Sequence, residues 1–275
     1  MSEPTSPVSV EDAMSSRGML DLEPHLAAII VGHGERGRDF SNAILQNHAK
    51  AVSERLGNVP VFAGVLSGLP TIEAALGKAV NTGARRILVY PYFMAAGFFV
   101  STRVPQRIAG AGASERCRML GPLGADPGLP ALVLRRAAAV AVDNLDQPAR
   151  ACRLLLVGHG SKVARASAEA TEAVAAALRR AGEFASIETA FLEEAPFLDD
   201  VIGQDAEGRD ARPTVIVGLF NGDGLHAGED VPAAMQKAKG PVAYTGAVGA
   251  MPEVADLIAV AIETAAKELR ADVLA

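Results

Sequence analysis

The sequence has no tryptophan, 4% aromatic residues and two cysteines, Cys117 and Cys152, in 275 residues. Two cysteines without C-x-x-C spacing exclude a disulfide framework and a cysteine-ligated zinc module; they fit a reducing cytoplasm, with both thiols read as small buried hydrophobes. No apolar run approaches the roughly 18 residues that a membrane span needs. The segment ALVLRRAAAVAV is interrupted by Arg135 and Arg136. Positive charge is also scarce: 26 Lys and Arg against 32 Asp and Glu leave a formal charge of −6, which provides no global field for nucleic acid or an anionic membrane.

What is present is ordinary for an α/β protein: 49% hydrophobic residues and 27 glycines in 28.4 kDa. That length serves one large domain or two small ones. Residues 1–24, MSEPTSPVSVEDAMSSRGMLDLEP, lack a basic region followed by an apolar one, so they read as a flexible tail rather than a secretory signal.

The chain repeats itself. LAAIIVGHG, ending at Gly34, returns as CRLLLVGHG, ending at Gly160, an offset of 126. The same offset lays VLSGLP (Val65–Pro70) on FLEEAP (Phe191–Pro196), and RILVYPYFMAAG corresponds in kind to PTVIVGLFNGDG. Val104-Pro105 aligns with Val231-Pro232 at 127, and MLGPLG with YTGAVG at 125. The division expected is a tail over 1–24 and two similar domains over 25–147 and 148–275.

Within each half, short Val/Ile/Leu runs alternate with helical patterns such as Asp39–Leu56 and Val163–Ala181. This predicts an α/β fold of two tandem domains, each a small parallel four-stranded sheet flanked by helices. Strands are expected near 26–32, 60–66, 86–92 and 117–121, then near 152–158, 186–192, 213–219 and 241–246. A closing helix is expected over Asp126–Asn144, before a connector around Pro148.

In an open parallel sheet, ligands gather beyond the carboxyl ends of the strands. In the second half those ends carry His159, Glu193 and His226. Two imidazoles and a carboxylate suit a borderline divalent metal such as Co²⁺, Fe²⁺, Ni²⁺ or Zn²⁺, and three or fewer protein ligands leave positions open for a substrate. Glu194 is an alternative to Glu193, because consecutive residues leaving a strand point opposite ways. His25 and His48 lack companions in the sequence and read as tail or surface residues.

Other motifs are weaker. Gly32 to Gly37 formally matches G-x-G-x-x-G, but no acidic residue ends the next strand and the second copy lacks the last glycine. Gly32 and Gly158 stand where a histidine phosphatase carries its phosphate-gripping arginine. No G-x-S-x-G elbow, Walker A loop or H-E-x-x-H helix is present, and no organic cofactor is implied.

VGHGS, AFLEEAPFL and GLHAGEDVP together resemble the three signature loops of the CbiX/SirB sirohydrochlorin chelatases, over nearly the whole chain after residue 25. The resemblance implies the two-domain long form of that chelatase-like fold. It also implies insertion of a divalent metal, Co²⁺ or Fe²⁺, as a substrate into a tetrapyrrole of cobalamin or sirohaem biosynthesis. Metal ligation and proton transfer then fall on His159, Glu193 and His226. The first half keeps His33 but has Ser67 at the glutamate position and Phe99 at the second histidine, so it reads as a degenerate duplicate walling the cleft. In several long-form relatives the active half is the N-terminal one, whereas here it is C-terminal.

Sirohydrochlorin is a polycarboxylate, so an acidic protein must hold it through local donors. Those expected are Lys162, Arg165, Arg103 and the amides following GHGS, with Phe99 against the macrocycle. A protoporphyrin ferrochelatase and a non-catalytic metal or tetrapyrrole carrier are the alternatives, and cobalt and iron are equally open. Duplication is consistent with a monomer, since the second half replaces the partner that a one-domain relative needs.

Overall fold

The computed structural model describes residues 25–34, 41–57, 59–203 and 212–274. The expected tail, the start of the Asp39–Leu56 segment and Gly37 of the glycine-rich match lie outside them. Each half forms one four-stranded parallel sheet. The first comprises β1 (Leu26–Gly32), β2 (Val61–Val65), β3 (Arg86–Pro91) and β4 (Cys117–Met119), in the order β2-β1-β3-β4. The second comprises β5 (Arg153–Gly158), β6 (Ser186–Phe191), β7 (Thr214–Gly218) and β8 (Val242–Ala247), in the equivalent order β6-β5-β7-β8.

The strands β1 and β5 are buried along their whole length, Leu26–Gly32 and Arg153–Gly158. Helices cover both faces of such a sheet, so its strands read as continuous apolar runs rather than alternating ones. Helices α1 (Ala43–Leu56), α2 (Ile72–Asn81), α3 (Val104–Gly110) and α4 (Leu129–Leu145) belong to the first half. Helices α5 (Ala166–Ala181), α6 (Leu198–Gly203), α7 (Val231–Met235) and α8 (Val254–Leu274) belong to the second. Thr71 caps α2, its hydroxyl accepting from Ala74 N at 3.2 Å, as an N-cap threonine should.

Successive strand residues face opposite cores. Ala27, Ile29 and Val31 of β1 pack with Ile72, Leu76 and Val104 in a core private to the first half. Leu155 and Val157 of β5 do the same with Leu198, Ile216 and Val231. The alternate residues, Ala28 and Ile30 of β1 with Leu154 and Leu156 of β5, meet in a third core common to both halves.

That common core is closed by exchanged helices. The α4 helix presents Leu129, Leu132, Val133, Ala137, Val140 and Ala141, the i, i+3, i+4 spacing of one apolar face, and lies on β7, β8 and α5 of the other half. Reciprocally, α8 lies on α1 and β3, and ion pairs Arg55–Asp256 and Arg118–Glu268 tie it there. The connector around Pro148 becomes a 3-10 turn, Ala149–Ala151.

The contact between halves also corrects two readings. His48 is no surface residue: it is buried, 5% exposed, with Nε2 donating to Gly249 O at 2.8 Å. Beside it Tyr92 OH donates to the carbonyls of Asn221 and Gly249, and Asn221 Nδ2 returns a bond to Tyr92 O at 2.7 Å. Of the cysteines, Cys152 is buried, but Cys117 on edge strand β4 is only partly so; burial still pushes its thiol up to about 11.

Candidate metal-handling site

Three loops converge at the carboxyl edge of the second sheet. The chain leaves β5 through His159, Gly160 and Ser161, and Glu193 N donates to His159 O at 2.9 Å, which joins the β5 and β6 loops. Gly160 turns with φ +75°, and a Cβ there would stand 2.9 Å from Phe191 Cβ, so the tight exit from β5 requires glycine. The loop after β7 ends in a five-residue π-turn, His226–Asp230, that runs directly into α7. Such turns are frequent at functional sites.

This arrangement brings His159 and His226 together, ring centroids 4.5 Å apart and planes at 88°. His159 Nδ1 lies 2.9 Å from Gly160 O, and His226 Nδ1 lies 2.7 Å from Asp230 Oδ2. A carbonyl and a carboxylate only accept, so in its neutral form each ring carries its proton on Nδ1 and its lone pair on Nε2. That nitrogen is the one left to bind a metal.

Glu193 lines a cavity of about 550 Å³ next to His226, together with Asp199, Asp200, Asp230 and Lys237. Glu194 does something else: its Oε1 accepts from Ser161 N at 3.0 Å and it packs on Gly160, bracing the GHGS turn. Among the described residues, no three His, Cys, Asp or Glu side chains form a ready-made metal cluster. The structure thus pairs the imidazoles and sets Glu193 on the adjoining wall.

The first half repeats the framework without the donors. His33 meets Phe99 edge to face at 4.8 Å, and Phe93 lies 6.2 Å from Phe99, as Phe220 lies 6.4 Å from His226. Ser67 N donates to His33 O at 2.9 Å, but the side chain there is a hydroxymethyl. Arg107 binds both carboxylate oxygens of Glu73 and donates to Leu66 O at 3.2 Å, holding the Glu73 carboxyl down to about 2. At the offsets of the repeat, Ala234, Asp199 and Leu192 occupy those three positions. In the second half all three of these residues line the cavity.

The remaining expected residues are placed as follows. Lys162 and Arg165 are exposed between Gly160 and α5, Arg165 lying 3.8 Å from Glu169. Arg103 ends the first-half π-turn, Phe99–Arg103, and is exposed. Several of the amides around the GHGS turn are already engaged: α5 starts only at Ala166, Ser161 N binds Glu194, and Val163 N and Ala164 N donate to Ser161 Oγ at 3.2 Å. Apolar side chains do stand out from these loops, Phe98 at 62%, Leu225 at 64% and Val163 at 96% exposure. The Phe98–Phe99 loop reaches the second half, where a Cβ on Gly97 would lie 3.8 Å from Ala166 Cβ.

Two features were missed in the sequence. Asp230 carried its signal, four residues after His226 in GLHAGED, while the acidic cavity had none that a single half displays.

The CbiX family model matches residues 27–140 and again 153–265. This chain belongs to the CbiX family. A probable sirohydrochlorin cobaltochelatase of Halobacterium salinarum is 25% identical over 269 residues, 84% of this chain and 89% of that protein. A solved CbiX, described as the terminal enzyme for biosynthesis of siroheme in denitrifying bacteria, superposes with a TM-score of 0.71 and 34% identity, covering 87% of this chain and 99% of its own. The sirohydrochlorin chelatase SirB of Bacillus subtilis subspecies spizizenii in complex with cobalt shares the fold, with a TM-score of 0.67, 20% identity and coverage of 88% and 96%. Family membership accounts for the tandem sheets, and among the described residues no helix is long and apolar enough to cross a membrane.

Proposed function

We propose that this CbiX-family protein is a sirohydrochlorin chelatase that inserts Co²⁺ or Fe²⁺, the metal being a substrate, and that the second half alone carries the reaction. The observation that carries this reading is the His159–His226 pair, two imidazoles in contact whose Nδ1 atoms are both occupied by acceptors. The siroheme-forming and cobaltochelatase relatives support the same chemistry. A named carrier or protoporphyrin enzyme is not needed to explain any feature of the site.

His159 and His226 present the metal through Nε2 and leave its other positions open, so that pyrrole nitrogens can displace water as the metal enters the ring. Entry releases two pyrrole protons. Glu193, on the wall beside His226, accepts them one at a time and passes each to solvent, so that its carboxylate is restored between transfers and offsets metal charge, a task for a positioned carboxylate base. Phe99 and the first half form the opposite wall, while Lys162, Arg165 and Arg103 meet substrate carboxylates. The donors do not choose between cobalt and iron, because imidazole accepts both and affinity follows the Irving–Williams order. The common core within one chain supports a monomer, and the free thiols support a reducing cytoplasm.

The test is anaerobic visible spectroscopy of sirohydrochlorin with Co²⁺ or Fe²⁺, corrected for the uncatalysed rate. Wild type should accelerate metallation, and His226→Ala should lose about 100-fold or more of that acceleration. Tight Co²⁺ binding by a wild type that gives no acceleration would instead identify a carrier.

A further inference from the structure

We infer that Asp230 is a positioning residue for the reaction proposed above, and the inference rests on that reading. It holds the imidazole of His226 in its Nδ1–H form and so presents the Nε2 lone pair to the metal. Its Oδ2 lies 2.7 Å from Nδ1, and both side chains are partly open to solvent. A neutral histidine left to itself favours the Nε2–H form, which places the proton on the nitrogen that must bind. An acceptor at Nδ1 reverses that preference, as carboxylates behind metal-bound histidines do.

The duplicated half separates this role from a structural one. At the offset of 127 that aligns Val104-Pro105 with Val231-Pro232, Phe99 replaces His226 and Arg103 replaces Asp230. Both halves nevertheless form the same π-turn, Phe99–Arg103 and His226–Asp230, each followed by a helix beginning Val-Pro. The backbone therefore builds this turn without a His–Asp bond. The edge-to-face ring pair also forms without it, since Phe99 sits against His33 much as His226 sits against His159. What the first half lacks is a ring nitrogen to orient, and there the aspartate is absent as well. His159 obtains the same tautomer from Gly160 O, which every residue at that position supplies; His226 depends on a side chain.

The tautomer is read directly by long-range ¹H–¹⁵N correlation of ¹⁵N-histidine-labelled protein, above the pH range of histidine titration and with no metal or tetrapyrrole. Wild type should show His226 Nε2 as the bare nitrogen. In Asp230→Ala the proton should move to Nε2 while the His159 pattern is unchanged, and KM for Co²⁺ should rise about 10- to 100-fold with a smaller change in kcat. Asp230→Asn, whose amide oxygen still accepts, should keep the Nδ1–H form and recover most of the affinity. A bare Nε2 persisting in Asp230→Ala would overturn the assignment; so would an unchanged KM in a variant whose tautomer has moved. Failure of wild type to metallate sirohydrochlorin would count against the chelatase reading separately, because the tautomer needs no turnover to be seen.

Discussion

His159 and His226 meet edge to face at 4.5 Å, and His33 meets Phe99 in the same way at 4.8 Å. One scaffold thus carries two versions of a ring pair, and only one version has two nitrogens to offer. His226→Phe turns the second version into the first. It should leave the denaturant midpoint close to wild type, because the first half already packs phenylalanine there, while removing Co²⁺ binding and about 100-fold or more of the metallation rate. Phe99→His performs the converse exchange and should add a second, weaker Co²⁺ absorption band in a titration. A variant pair that leaves both titrations unaltered would detach metal binding from these rings.

Glu193 and Glu194 are neighbours with different surroundings. Glu193 faces the cavity beside His226, whereas Glu194 is engaged with Ser161 N. Glu193→Gln should lower kcat by about 100-fold or more, the range for loss of a positioned base, with little effect on stability. Glu194→Gln retains an oxygen acceptor and should change kcat only modestly; Glu194→Ala should cost about 1–3 kcal/mol by stranding the Ser161 amide. Kinetics and urea melts of the three variants separate the two glutamates, and a larger kcat loss in Glu194→Gln would reverse the assignment.

Much of this was legible in the sequence because parallel strands buried on both faces leave unbroken Val/Ile/Leu runs. Leu26–Gly32 and Arg153–Gly158 lie within a residue of the expected segments. The repeat located equivalent strand ends, and so the histidines. Helix exchange was not legible: the apolar face of Leu129–Leu145 states that the helix is covered but not by which sheet. His48 was misread for a related reason, since its partner Gly249 lies 201 residues away. The cavity is lined by Ala234 where the first half has Arg107, a difference that becomes meaningful only when the two halves are superposed.

Acid should loosen the contact between the halves. Burial holds the His48 pKa below its ordinary value, with the Arg55 charge acting in the same direction and the bond to Gly249 O opposing both. A histidine whose folded pKa is depressed favours the folded state fully above its unfolded value of about 6.5. That contribution is lost as pH falls through the folded value. The urea midpoint of wild type should therefore fall between pH 7.5 and pH 5 more steeply than that of His48→Gln. Tyr92→Phe, which removes the hydroxyl bonded to Asn221 O and Gly249 O, should cost about 1–2 kcal/mol without adding to the pH slope. Equal slopes in wild type and His48→Gln would show that other groups govern acid loss.

The cavity beside His226 can be closed by copying the first half. Ala234→Arg places a guanidinium at the position of Arg107, where Asp199 corresponds to Glu73 and Leu192 to Leu66. Ala234 is buried and lines the cavity with Asp199, Asp230 and Glu193, so the new side chain enters a space bounded by carboxylates and need not leave its charge unpaired. The fold should survive, as it does around Arg107. The arginine would also compete with His226 for Asp230 and with the metal for Glu193. KM for Co²⁺ should rise about tenfold or more, and Ala234→Leu, which fills volume without charge, should raise it less. If both variants behave as wild type, the cavity is only the space left by a lost arginine; if leucine equals arginine, steric access rather than competition for the carboxylates sets its contribution.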